Sequence, residues 1–302
     1  MICLGTMNFG TVVGPETAFG IMDRFVDAGG VAFDTANCYA SWLGTGDESE
    51  LVIGEWLRRR KTRGLIRLAS KVGARPAPDS GRPDGEGLAA KTIRAAATET
   101  LNRLGTDYLD IYYAHMIDTS VRLEESLGAL DDLVTSGKTR EVGLSNHDLD
   151  RVRQSRSITA ERGWTPVTWL QQRHSYLRPQ EGTSFGPQIA LTPETADWAE
   201  AQPNLTLQGY SPLLSGAYTR NDREFWPHYR TSSNSSRLVA LREVADQLRV
   251  SPNQVVIAWM LGSVPSVEPV VGVSSVGQLE EALAATHLVL HEDHWRRLES
   301  PC

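Results

Sequence analysis

Short runs rich in Val, Ile and Leu alternate with amphipathic stretches eight times along this chain, and nothing else in the sequence constrains the fold as strongly. The runs at 2–7, 31–36, 66–72, 109–115, 141–146, 167–172, 205–210 and 269–274 are near-continuous rather than alternating. That pattern suits parallel strands covered on both faces. Helical periodicity fills the gaps, at 15–28, 48–60, 88–104, 123–136, 149–160, 193–201, 236–248, 252–261 and 276–285. The first helix ends at Gly29-Gly30, a C-cap signal. The helix from 252 has Ser251 as N-cap and Pro252 in its first position. Strand then helix, eight times, predicts an α/β fold of the (β/α)8 TIM barrel type. A doubly wound sheet is the alternative, because periodicity does not count barrel closure. The length of 302 residues fits one such barrel, which typically needs about 250. One domain over 1–302 is therefore expected, without internal repeats. Two loop-like stretches interrupt the alternation, at 74–87 and 213–235, and long loops of this kind are commonly lids.

Composition closes off several functions. Thirty basic against 37 acidic residues give a net charge of −7, so no nucleic-acid surface is expected. Cys3, Cys38 and Cys302 are too few for a disulfide framework or a four-cysteine zinc site. No run approaches the roughly 20 apolar residues of a membrane helix, and Met1-Ile2-Cys3-Leu4-Gly5 lacks a basic leader. A cytoplasmic setting is the expectation. Lysine occurs only at 61, 71, 91 and 138, so Lys71 inside an apolar strand stands out. The basic run from Arg58 to Lys61 reads as a solvated helix end. His287, His291 and His294 read as a solvated face near the terminus.

In a barrel the reactive groups gather at the C-terminal ends of the strands. There the second strand leads through Asp34 to Tyr39, the third ends at Lys71 and the fourth at His115. Each has a bland reading alone: a strand-end cap, a loop tyrosine, a surface lysine, a core histidine. Together they suit protonation of a developing alkoxide. Tyrosine ionises near pH 10. An ammonium about 4 Å away would favour tyrosinate by roughly 4 kcal/mol at an effective dielectric of 20, about three pKa units. Tyr39 is therefore expected to be made more acidic by Lys71, with Asp34 orienting the lysine. No serine or cysteine is paired with the histidine for acyl transfer, and no three-ligand metal cluster is visible.

At these residues the chain resembles the aldo-keto reductase superfamily. Leu4-Gly5-Thr6-Met7-Asn8-Phe9-Gly10 is similar to the family's first strand. Phe33-Asp34-Thr35-Ala36 followed by Tyr39 resembles its Asp–Tyr motif, and the 44–54 segment with Glu50 its continuation. Ser70-Lys71 resembles the lysine motif, and Leu109-Asp110 through His115 and Asp118 the histidine motif. Gly143-Leu144-Ser145-Asn146 is similar to the fifth strand. The resemblance covers almost the whole chain in order.

It implies reduction of a carbonyl on a small molecule, an aldehyde or ketone including a keto-sugar or secondary-metabolite carbonyl, with NADPH (NADP) as cofactor. Tyr39 would be the general acid, tuned by Lys71 and Asp34, with His115 orienting the carbonyl. Ser145, Asn146 and Gln171 would hold the nicotinamide carboxamide, Tyr210 would stack on the ring, and Gly5, Thr6 and Met7 would pass beneath it. Ser211, Pro212, Leu213, Gly216 and Arg220 would line the pyrophosphate. Gly272, Val273, Ser274, Gln278 and Glu281 would meet the adenosine end, using a helix N-terminus as an anion site. Trp42, Met116, His174, Phe225 and Trp226 would wall the substrate. Departures from the family pattern are Gly272 and Gln278 where some members carry Lys and Arg, which leaves NADH open, Ala282 for a frequent Asn, and His174 for a tyrosine. The chain begins at the first strand, without the usual N-terminal β-hairpin, and stops soon after Trp295, which predicts an open pocket with 213–235 as its main lid. The oxidative direction and a non-enzymatic cofactor-sensing subunit are competing readings. The oligomeric state is not legible.

Overall fold

The computed structural model describes residues 1–77 and 85–300. Part of the 74–87 loop and Cys302 lie outside the described residues. Eight parallel strands close into a barrel in sequence order, β1 beside β2 through to β8 beside β1. They are β1 (Cys3–Gly5), β2 (Ala32–Asp34), β3 (Arg67–Val72), β4 (Leu109–Ala114), β5 (Thr139–Ser145), β6 (Val167–Arg173), β7 (Thr206–Tyr210) and β8 (Val267–Gly272). The helices are α1 (Pro15–Asp27), α2 (Glu48–Arg60), α3 (Ala90–Leu104), α4 (Leu123–Thr135), α5 (Leu149–Arg162), α6 (Pro193–Glu200), α7 (Ser232–Leu248), α8 (Pro252–Gly262), α9 (Val276–Ala285) and α10 (Glu292–Glu299). The chain is thus a (β/α)8 barrel, and the open-sheet alternative falls away.

Two differences from the sequence reading have local causes. The loop expected to reach residue 235 gives way to helix at Ser232, because the Thr231 hydroxyl accepts the Asn234 N–H as an N-cap. The Thr-Ser-Ser-Asn-Ser run is therefore a cap and first turn. Helix α10 carries only two apolar residues on one face, Leu298, which is buried, and Trp295, half-buried against the core, too few to read as a helix in the sequence. Polar contacts also anchor it: the Tyr176 hydroxyl donates to Leu298 O at 2.8 Å and Trp259 Nε1 to Glu299 Oε1 at 2.6 Å.

Alternation along each strand separates two environments. One set, including Leu4, Phe33, Leu68, Tyr112, Leu170 and Val271, joins the helices in the large apolar shell. The other faces the barrel axis in two small clusters, Ala69 with Ile111, Tyr113 and Trp169, and Cys3 with Ala32 and Val270. Gly143 is required here. A Cβ on it would lie 2.3 Å from the Tyr113 ring.

Between these clusters runs a polar column. At the N-terminal end Arg67 Nη2 donates to Glu268 at 2.7 and 2.8 Å. Gln208 Nε2 donates to Glu268 Oε2 at 2.6 Å, and Gln208 Oε1 accepts from Tyr113 at 2.8 Å and Gln171 at 3.0 Å. Gln171 Nε2 also reaches Asp34 Oδ1 at 2.7 Å. The column therefore spans the barrel and delivers one hydrogen bond to its C-terminal mouth.

Burial leaves two histidines neutral well into the acid range: His147 and His174 are each lowered to about 4. The unfolded chain protonates both near pH 6.5. It therefore binds more protons than the folded chain as pH falls from 6.5 to 4, and stability is lost over that window. His147→Asn should remove up to one proton from this linkage, about 1.4 kcal/mol per pH unit. Urea unfolding from pH 7 to 4.5 reads it; an unchanged slope would contradict the assignment.

Candidate active site

Asp34 ends β2, Lys71 lies near the end of β3, and His115 follows β4. Parallel pairing of neighbouring strands brings all three to one rim, and the loop after β2 folds Tyr39 back over them. Lys71 is completely buried and Asp34 is 1% exposed. A buried ammonium is tolerable only if its donors are satisfied. Here Nζ donates to Asp34 Oδ2 at 2.7 Å, Thr35 O at 2.8 Å and the Tyr39 hydroxyl at 2.5 Å. The Tyr39 hydroxyl donates to the same Asp34 Oδ2 at 2.6 Å. Asp34 thus accepts from Lys71, Tyr39 and Gln171.

This triangle corrects the expected tuning of Tyr39. Burial first, then the Asp34 charge and the hydrogen bond to it, push Tyr39 well above its ordinary value. Asp34 neutralises Lys71, so the tyrosine meets an ion pair rather than a lone cation. Its proton is retained through the neutral range. His115 is held well below its ordinary value by burial and then by the Lys71 charge, so its ring is neutral. Chemically, the rim offers one O–H and one neutral imidazole. If an acceptor takes the Tyr39 proton, Lys71 is already in place as donor to the phenolate oxygen.

The supports beneath the rim are hydroxyls and one carboxylate. The Thr6 hydroxyl donates to Asp34 O at 2.8 Å and lies 2.8 Å from Ser49 Oγ, which also meets Thr35 Oγ1. The start of α2 is thereby pinned under β1 and β2. Glu50, fully buried, accepts from Ser70 Oγ at 2.5 Å and Arg103 Nε at 2.6 Å. It ties α2 and α3 to the residue before Lys71. Sequence reading noted Glu50 only as part of a motif. Its partner Arg103, on a separate helix, had no local signal.

The remaining expected residues are arranged along the rim from β5 to the β8–α9 turn. Ser145 and Asn146 are buried at the end of β5, and Asn146 is held in the left-handed region at φ +58°. Its Nδ2 donates to His115 O at 2.9 Å and Ser145 Oγ at 3.1 Å, and its Oδ1 accepts from Ile189 N and the Tyr210 hydroxyl. The 2.7 Å bond from Tyr210 fixes that half-buried ring at the mouth. After it, Ser211, Leu214, Ser215 and Gly216 all have positive φ, a strained turn of a kind concentrated at ligand sites. Pro212 is buried and Leu213 half-buried. At the β1–β8 seam Gly5 pairs with Gly272, and a Cβ on exposed Gly272 would meet nothing nearer than Gly5 O at 3.9 Å. That leaves open space at Gly272, while a Cβ on Gly5 would lie 3.2 Å from Val270 Cγ1; Met7 is 41% exposed, whereas the Thr6 side chain is spent internally. Arg220 is paired with Asp222 at the surface. Val273 is buried; Gln278 Oε1 accepts from Ser274 N and Oγ, closing the turn into α9. Glu281 accepts from Ser251 Oγ and Asn253 Nδ2.

Of the expected substrate wall, Trp42 and Trp226 are exposed, at 66% and 51%. Met116 is half-buried next to His115. Phe225 packs edge-on against Tyr218 at 5.5 Å. The His174 ring stacks on Trp259 of α8 at 5.5 Å, so its environment is the seam between β6 and α8. Sequence reading missed Arg173, two positions beyond Gln171 on the same face of β6. It is 6% exposed and lies under Phe185, Trp226 and Tyr229 at 4.7–5.9 Å. The stride of two from Gln171 was the available signal. No cluster of three metal-ligating side chains occurs among the described residues, and no described helix is long and apolar enough to cross a membrane.

Comparison with known proteins gives the family. The family model described as the aldo/keto reductase family matches residues 1–301. The chain is 30% identical to an aldo-keto reductase of Strobilurus tenacellus, over 96% of this chain and 82% of the relative. It is 28% identical to a norsolorinic acid reductase of Emericella nidulans, over 99% and 77%. It is 27% identical to a putative aryl-alcohol dehydrogenase of Schizosaccharomyces pombe, over 99% and 91%.

The buried pair sets a stability test. Removing one member leaves an unpaired charge inside the barrel, which costs about 3–5 kcal/mol. Lys71→Met and Asp34→Asn should each lose that much in chemical denaturation, and the double variant clearly less than the sum. Additive losses would show that the two groups do not depend on one another.

Proposed function

The chain belongs to the aldo/keto reductase family, and from that premise we propose that it reduces an aldehyde or ketone to an alcohol with NADPH, Tyr39 supplying the proton. The observation that carries this reading is the Tyr39 hydroxyl held between Lys71 Nζ and Asp34 Oδ2 at the barrel mouth. The nicotinamide, when bound, supplies a hydride to the carbonyl carbon. Everything else is done by side chains. A carbonyl oxygen displaces Asp34 as acceptor of the Tyr39 hydrogen bond. Negative charge grows on that oxygen, the proton transfers, and Lys71 donates to the phenolate left behind. Neutral His115 donates a second hydrogen bond to the same oxygen and sets its direction. Proton donation of this kind is worth about 10²–10⁴ in rate.

The open space at Gly272, the fixed Tyr210 ring and the left-handed turn after it fit a dinucleotide. Ser145, Asn146 and Gln171 would hold its carboxamide end. Ser211 to Gly216 would follow the pyrophosphate, and the turn into α9 would take the adenosine end. Gly272 and Gln278 bring no cation to the ribose phosphate, so NADH is expected to be used as well, less efficiently. Exposed Trp42 and Trp226 offer apolar rims, and norsolorinic acid reductases stand among the relatives. With a putative aryl-alcohol dehydrogenase also among them, an aromatic carbonyl compound is the substrate class we favour, with the loop from 213 to 231 closing over it.

The test is cofactor consumption with 4-nitrobenzaldehyde. The parent should turn over, and Tyr39→Phe should lose at least about 100-fold in kcat while still quenching on NADPH binding. A variant that keeps its rate would remove Tyr39 from the proton step. Repeating the assay with NADH reads the cofactor preference. Hydrogen exchange over the loop from 213 to 231 should slow when NADPH is added; equal exchange with and without it would discard the lid.

A further inference from the structure

Cys38 immediately precedes Tyr39 and is 8% exposed. Its backbone is confined. Gly46, at φ +91°, approaches so closely that a Cβ there would lie 3.1 Å from Cys38 Cα, and Cys38 O accepts from Ser41 N at 3.2 Å. The Sγ atom sits 3.7 Å from His115 Nδ1. Among the described residues this is the hydrogen-bond contact made by the His115 ring, and the ring stands edge-on to Tyr39 at 6.1 Å between centroids. Nδ1 therefore faces the thiol, and Nε2 lies on the opposite side of the ring.

We propose that Cys38 is a positioning residue that sets the tautomer of His115: the thiol donates to Nδ1, and the ring hydrogen is kept on Nε2, where it is offered to the carbonyl oxygen. This rests on the reading of His115 as the group that directs the carbonyl. A neutral imidazole carries one donor and one acceptor, and a neighbour's hydrogen bond decides which nitrogen is which. Of the two possible pairings, S–H to imidazole nitrogen is better matched than N–H to sulfur, because the ring nitrogen is a strong acceptor and the thiol sulfur a weak one. The opposite pairing would also leave Nε2 as an acceptor, facing a carbonyl oxygen that is itself an acceptor. Burial supports the neutral thiol: it pushes Cys38 up to about 12, so the sulfur retains its hydrogen at neutral pH. Burial, and then the neighbouring Lys71 charge, keep the ring from becoming a cation. No proton is transferred in this arrangement; the contact only orders one.

The experiment reads the ring nitrogens directly, in cofactor-free protein labelled with ¹⁵N-histidine, with His115 assigned by loss of its signals in His115→Asn. In the parent, Nε2 should give the protonated signal and Nδ1 the bare one. In Cys38→Ala the two should move towards an averaged tautomer mixture. Cys38→Ser should return towards the parent pattern. Cys38→Val, close in volume and without a donor, replaces the alanine variant if that one does not fold. In parallel, kcat of the donor-free variant should fall roughly three- to tenfold, the value of one neutral hydrogen bond, with NADPH affinity unchanged. A parent bearing its hydrogen on Nδ1, or a donor-free variant with the parent's tautomer, would overturn the proposal. Because the spectra need neither substrate nor cofactor, they stand apart from the Tyr39→Phe assay, whose failure would remove the proposed reaction instead.

Discussion

An ammonium and a carboxylate stand 2.7 Å apart inside a barrel that shields both from water, and much of the molecule is arranged to make that tolerable. Two bare charges in such a place would be held apart from their solvation at a cost of several kcal/mol each. Lys71 answers with three acceptors and Asp34 with three donors. Those partners in turn need partners. Gln171 is fixed by Gln208, Gln208 by Glu268, and Glu268 by Arg67 at the far end. The barrel axis, which apolar side chains fill in layers in a typical fold of this type, is here half polar. Its hydrogen bonds close on one another, and a network of that kind specifies one arrangement because every partial alternative leaves a buried group unpaired.

The fold was legible because the signals for it are local and repeated. Each β-strand is a compact apolar run, and each crossover helix carries its own cap or breaker. Closure into a ring is different. It depends on Cys3–Gly5 finding Val270–Gly272 across almost the whole chain, and no window of sequence contains both. Helix α10 was illegible for the opposite reason. Trp295 and Leu298 are its only apolar residues, too few to show a period, and a tyrosine hydroxyl and an indole N–H from distant segments help to anchor it.

The site divides along the same line. Asp34, Tyr39, Lys71 and His115 stand at the ends of consecutive strands, so a strand count was enough to bring them together. Their electrostatics were not legible. Coulomb's law between Tyr39 and Lys71 alone predicts a more acidic phenol, and the sign changes once burial, and then Asp34 holding both the lysine and the tyrosine proton, are counted. Thr6 reads as one of three residues passing beneath the nicotinamide, and its hydroxyl is consumed by Asp34 O and Ser49. Arg103 and Glu268 carry no motif; they matter because of which buried carboxylate or amide they happen to face.

The division of labour along the chain has an evolutionary consequence. The proton-handling groups all come from β2 to β4. The residues we assign to the dinucleotide come mainly from β5 to β8, with Gly5, Thr6 and Met7 of the opening segment lying across the seam. The two sets touch through Gln171 on Asp34, Asn146 on His115 O and Thr6 on Asp34 O. Deeper in the barrel the halves are also tied by Tyr113 to Gln208 and by Arg67 to Glu268. A recombination event that exchanged the later half-barrel for another would have to keep those few polar ties to keep its chemistry, and a designer grafting one half onto a foreign partner has the same short set of side-chain bonds to conserve at the splice.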